Sequence, residues 1–233
     1  MNKEQFIKEV INLGIEIDEE KLNKLELYYK MIINYNEYTN LTRITNKEEV
    51  YLKHFYDSLT IVKNVSLNNQ KLLDIGPGAG FPSVVLKIFF PNLNITMVDS
   101  LNKRIIFLKN VIKELNLENI DAIHARAEEY VLSNKEKFDI VTSRAVANLN
   151  MLSEISIPAL KINGLFVPMK GDATEEIESS INCINLVGGK IEEINKFYLP
   201  FEKSIRTIIT IKKITKSNNK YPRKFSEIKK KPL

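Results

Sequence analysis

The sequence predicts an α/β fold: a mostly parallel, seven-stranded sheet with an antiparallel strand near one edge, behind an N-terminal helical extension. Three observations predict it. Residues 67–170 alternate short apolar runs with stretches of helical periodicity, which implies a parallel sheet covered by helices on both faces. The first run ends in Asp74-Ile75-Gly76-Pro77-Gly78-Ala79-Gly80-Phe81-Pro82, a glycine-rich turn between a strand and a helix. Two runs rich in β-branched residues near the chain end follow each other with no helix between, so they pair antiparallel at the sheet edge.

Three units follow: a helical extension over 1–66, a core over 67–213 and a basic tail over 214–233. In the extension, Phe6, Val10 and Leu13 recur at helical spacing and Gly14 stops the pattern. Asp18 is placed to cap a second helix carrying Leu22, Leu25, Tyr29 and Ile32 on one face. A third helix starts near Asn46 and carries Val50, His54 and Asp57; these two polar residues read as a helix surface or a local hydrogen bond. The core strands are expected at 71–75, 95–99, 120–124, 138–142 and 165–169. Between the second and third, Ile105, Leu108, Ile112 and Leu115 form a helix face. A helix with Ile177, Ile181 and Ile184 precedes a turn at Gly188-Gly189, then strands at 190–197 and 206–212.

Composition narrows the function. Of the 233 residues 44% are hydrophobic, enough for a sizeable core. A single cysteine, Cys183, excludes a disulfide framework, and with only His54 and His124 beside it no metal site is expected. The charged N-terminus lacks an apolar signal core, and no apolar run approaches the ~20 residues that span a bilayer. A cytoplasmic monomer with no membrane partner is expected. The formal charge of +5 is uneven: from Lys212 onward nine Lys or Arg face one acid, Glu227. Such a tail suits phosphate groups or is a solvated terminus; charge alone leaves both open.

The glycine turn carries the chemistry. A helix starting there offers free N–H groups. The dinucleotide fingerprint G-x-G-x-x-G needs glycine where Phe81 stands. Asp74, before the glycines, would repel a pyrophosphate. It would attract the ammonium and cationic sulfur of S-adenosyl-L-methionine, directly or through water. Asp99, at the second strand end, is placed to accept hydrogen bonds from ribose hydroxyls. Polar loops after the next strands, Ala125-Arg126-Ala127-Glu128 and Ser143-Arg144-Ala145, lie where such folds line a pocket.

Taken together, these words resemble the bacterial small-subunit rRNA guanine-N7 methyltransferases, also called glucose-inhibited division protein B. The matching residues are Asn40-Leu41-Thr42, His54 with Asp57-Ser58-Leu59, Asp74 through Pro82, Asp99-Ser100 with Lys103-Arg104 and Phe107-Leu108, Arg126-Ala127-Glu128, Ser143-Arg144-Ala145, Lys170-Gly171 and Tyr221-Pro222-Arg223-Lys224. The resemblance spans essentially the whole chain. It implies a class I, Rossmann-like methyltransferase acting on a guanine in the decoding-region loop of 16S rRNA, free or in the 30S ribosomal subunit. It implies a cofactor pocket from Gly76, Gly78, Phe81, Asp99, Ala127, Glu128 and Arg144, joined by Asp74. Arg144 and Lys170 would position substrate, with no catalytic base, and Lys103, Arg104, Arg206, Arg223 and Lys224 are the RNA-binding candidates. Pro77 stands where the family has a small hydroxyl residue, Ser83 where it has Gly, and Ser226 and Ile228 where it has Gly and Pro. The alternatives are an rRNA-binding assembly factor that transfers nothing, a nicotinamide-dependent oxidoreductase, disfavoured by the glycine spacing, and a small-molecule methyltransferase, disfavoured by the basic tail.

Overall fold

The computed structural model describes residues 1–202 and 204–233. One sheet has the strand order β3-β2-β1-β4-β5-β7-β6. β1 (Lys71–Ile75), β2 (Asn94–Asp99), β3 (Ile120–His124), β4 (Phe138–Arg144) and β5 (Leu160–Lys170) run parallel. β7 (Ile205–Lys213) runs antiparallel to both β5 and the edge strand β6 (Gly189–Tyr198). Strand order switches direction between β1 and β4, which opens a crevice at their carboxyl ends.

Alternation along the strands divides the core into two. Leu72, Ile95, Met97, Ile140 and Val167 face α1 (Lys3–Asn12), α2 (Glu19–Thr39) and the helices after them up to α5 (Ser83–Phe89) and α6 (Asn102–Glu114). Leu73, Ile75, Val98, Val141 and Phe166 face α7 (Ala127–Leu132), α8 (Leu149–Ser156), α9 (Thr174–Leu186) and the C-terminal α10 (Phe225–Lys230). Between α2 and β1 the chain forms α3 (Lys47–Val50), a π-helix over Tyr51–Tyr56, α4 (Asp57–Leu59) and a 3₁₀ turn over Thr60–Lys63.

Local chemistry sets the helix starts. Asn2 and Gln5 form a reciprocal capping box, and Asp18 and Asn46 accept the N–H groups of Lys21 and Glu49. On α2 the buried aromatic is Tyr28, not the expected Tyr29. Both satisfy helical spacing; the glycine turn decides between them. Tyr28 donates its hydroxyl to the Ala79 carbonyl, and a Cβ on Gly80 would lie 2.6 Å from that hydroxyl. Gly80, with φ +105°, is therefore where α2 seats on the turn. On α6, Val111 is fully buried while Ile112 packs at the margin.

The tail folds back. Tyr221 and Ile228 are buried in the hydrophobic cluster that includes Val131, Leu149, Leu152 and Ile155, and Arg223 donates to both oxygens of Glu154, from Nε at 2.8 Å and Nη2 at 2.7 Å. A solvated, unordered terminus is not what these contacts describe.

Candidate active site

The crevice at the carboxyl ends of β1, β2 and β4 is a cavity of about 510 Å³. Gly76 and Gly78 line it, and Gly78, with φ +60°, has nothing within 4 Å of where a Cβ would stand. Phe81, Asp99, Ala127, Glu128 and Arg144 line it too, so the structure brings together seven of the eight expected cofactor residues.

The eighth, Asp74, lies outside the lining, at the end of β1. It is fully buried, and neither carboxylate oxygen has a hydrogen-bond partner among the described residues. Burial pushes its pKa up to about 7, partly opposed by Ser83 and Arg144. The Ser83 hydroxyl and backbone N–H both lie beside the carboxylate and hold its pKa down against burial, although neither meets strict hydrogen-bond geometry. A buried orphan carboxylate is costly unless something else supplies its partner.

Asp99 is nearly saturated. Its Oδ1 accepts from Leu101 N at 2.9 Å; its Oδ2 accepts from Gly78 N at 3.3 Å and from Arg104 Nη1 at 3.1 Å. Across the cavity, Glu128 accepts from Arg126 Nε at 2.7 Å, and the Arg126 guanidinium lies 4.5 Å over the Phe225 ring. Phe225 itself lines the cavity, so α10 closes the side formed by the β3–α7 loop.

Arg144 is the best-anchored group. Its Nη1 donates to Lys53 O at 2.9 Å and Asp57 Oδ2 at 3.2 Å, and its Nη2 lies 3.1 Å from His54 Nδ1. His54 Nδ1 sits between two partners, the Arg144 guanidinium, which only donates, and the Lys53 carbonyl, 3.1 Å away, which only accepts; its Nε2 lies 2.9 Å from Thr42 Oγ1. Burial, helped by the Arg144 charge, pushes the His54 pKa down to about 3, so the ring stays neutral. The His54 ring stacks on Phe81 with centroids 4.4 Å apart, and the guanidinium lies 4.9 Å over the same ring. Asp57 also accepts from Arg206 Nε at 3.0 Å. One carboxylate thus holds two arginines.

The remaining candidates are elsewhere. Lys170 donates to Ala147 O and to Glu176 at 2.7 Å, and Glu176 accepts Leu149 N; together they pin the loop after β4. Arg206 and Arg223 are engaged by buried carboxylates rather than presented as free surface cations. Lys103 and Lys224 are exposed, and Arg104 lines the cavity. The surface reading of His54 and Asp57 is corrected: both are buried and belong to the site. The π-helix, a rare turn that often marks function, carries His54 and ends just before Asp57. Phe225 was missed as well, although Tyr221, Phe225 and Ile228 form an apolar spacing of four and three within a basic tail.

No helix is long and apolar enough to cross a membrane among the described residues. The family described as rRNA small subunit methyltransferase G matches residues 21–216. The Ribosomal RNA small subunit methyltransferase G of Bacillus subtilis (strain 168) is 47% identical over 237 residues, covering 100% of this chain and 99% of that protein. Precorrin-6y C5,15-methyltransferase from Geobacter metallireducens GS-15 shares the fold with a TM-score of 0.53 at 19% identity, over 75% of this chain and 90% of that one. M. jannaschii TYW2 in complex with AdoMet matches with a TM-score of 0.54 at 16% identity, over 64% and 72%. A class I methyltransferase sheet and a full-length relative of this similarity lead to one conclusion: the chain belongs to the rRNA small subunit methyltransferase G family.

Proposed function

We propose that the protein transfers the methyl group of S-adenosyl-L-methionine to guanine N7 of 16S rRNA, as a cytoplasmic monomer acting on the free rRNA or the 30S subunit. The observation that carries the cofactor is the lining of the main cavity, where a glycine turn at Gly76 and Gly78, open at Gly78, meets Phe81, Asp99, Ala127, Glu128 and Arg144. Backbone at Gly76 and Gly78 would lie against the cofactor's methionine part. Asp99 would take the ribose, with one of about four acceptor sites free and another released when Arg104, one-third exposed, swings aside. Ala127 and Glu128 would flank the adenine.

Bound here, the cofactor supplies an electrophilic methyl group on a cationic sulfur. Guanine N7 carries an in-plane lone pair and no proton, so it attacks without a general base. The protein's task is alignment, which can supply several kcal/mol of a barrier, on the order of 7–11 in favourable cases. Arg144 cannot remove a proton. Its Nε–H and one Nη2–H remain for a ligand, which suits guanine O6, a phosphate or the cofactor carboxylate. A cation against N7 itself would oppose the positive charge the ring gains. N7 lies in the deep major groove of duplex RNA, so the target has to be an accessible loop base.

The test is transfer from radiolabelled S-adenosyl-L-methionine to 16S rRNA and 30S subunits lacking the modification, with product nucleosides separated. Label in 7-methylguanosine is expected. Label in another nucleoside overturns the N7 assignment, and no label with cofactor bound favours a non-catalytic assembly factor.

A further inference from the structure

Beside the cavity mouth, α2 and α6 enclose a second, shallower groove of about 290 Å³. Its walls are aromatic and amide: Met31, Tyr35, Phe107 and Tyr38 with Asn34 and Asn110. Tyr35 and Phe107 pack on each other, centroids 4.9 Å apart, and form a fixed floor. Tyr38 is the opposite case. It is 84% exposed, the most exposed large apolar or aromatic side chain among the described residues. Core packing gives no reason for an aromatic ring there.

Cations lie near the groove, although the exposed Glu37 adjoins Tyr38 in the chain. Lys103 lies on the same side: its Nζ donates to Thr39 O at 3.0 Å, which leaves two of its three N–H donors for other partners. Its backbone carbonyl accepts from the Tyr35 hydroxyl at 3.3 Å, so floor and cation are joined. Arg43 is exposed just beyond. Leu41 and Thr42, three and four residues past Tyr38, line the active-site cavity. Three residues span at most ~10 Å, about three stacked nucleotides at ~3.4 Å each.

We propose that this groove is a second nucleobase site, which stacks an unpaired base of the substrate RNA on Tyr38 while the target guanine occupies the main cavity. Every base has a π-face, so an aromatic shelf is tolerant of sequence. The Asn34 and Asn110 amides offer donors and acceptors to a base edge. Lys103 and Arg43 meet the phosphates on either side. The site rests on the rRNA-methylation reading, and gives the flanking strand a defined path over the α2–α6 edge of the mouth.

The sequence has no tryptophan, so Tyr38→Trp places a single indole reporter in the groove. The probe is unmethylated 16S rRNA. Its addition is expected to quench the Trp emission in a saturable way, with affinity near that of the wild type. Tyr38→Ala should weaken RNA binding about five- to a hundred-fold. It should raise KM for RNA, leave kcat at saturating RNA unchanged and leave cofactor affinity unchanged. Tyr38→Phe should restore binding. Tyr38→Ala should not alter the salt dependence, whereas Lys103→Ala should reduce the salt slope by about one. Emission unchanged at saturating RNA, or wild-type RNA affinity in Tyr38→Ala, overturns the groove while leaving the methylation reading intact. A wild-type enzyme that neither binds nor methylates the RNA overturns both.

Discussion

Asp74 shows how one residue can carry a structural cost behind the wall of a site. It is buried without a partner, and its carboxyl titrates near 7 in the fold, against about 3.9 in an unfolded chain. Between those values the fold keeps a proton that the unfolded chain has lost, so this group's contribution to stability falls as pH rises through that window. Asp74→Asn, which keeps the shape and removes the charge, should lose less stability than the wild type between pH 5 and 7 in urea denaturation. Equal losses would mean that Asp74 is not held as a strained carboxylate. That an acid ends the strand before the glycines was legible in the sequence. That its oxygens stand alone was not, since that depends on what α5 leaves around them. His54 was illegible for a similar reason: only Arg144 and Phe81, far along the chain, turn a helix histidine into a neutral ring braced against a guanidinium.

The strand–helix repeats were readable because periods of two and 3.6 are written in the local sequence. The long β5 and the seating of α2 on Gly80 were not, because pairing and docking choose between equally good local options. The basic tail is the clearest lesson among the elements. Its charge suggested phosphate contacts, but Arg223 forks onto Glu154, whose side chain is 1% exposed, and Phe225 reaches the cavity. Removing one partner of such a pair leaves a buried charge uncompensated. Arg223→Ala should therefore cost on the order of 3 kcal/mol of stability, read by chemical denaturation. Its RNA-binding salt slope should stay as in the wild type once folded. A stable variant with a slope reduced by about one would return Arg223 to the RNA surface.

In the whole molecule, two hydrophobic layers hold the sheet, and the N-terminal helices and the C-terminal tail reach the same carboxyl-end crevice from opposite faces. The site is therefore built from distant parts of the chain: Thr42 and His54, the β1 turn, the β2, β3 and β4 ends, and Phe225. That convergence fits a protein whose task is alignment rather than proton transfer. It predicts that the reaction depends on the nucleophilic atom itself. The most direct measurement is methyl transfer to a 16S rRNA fragment in which the target guanosine is replaced by 7-deazaguanosine. The account predicts that this RNA binds as tightly as the guanosine form and receives no methyl group. Transfer at that nucleotide at the normal rate would contradict it, because the methyl group would then be reaching an atom other than N7.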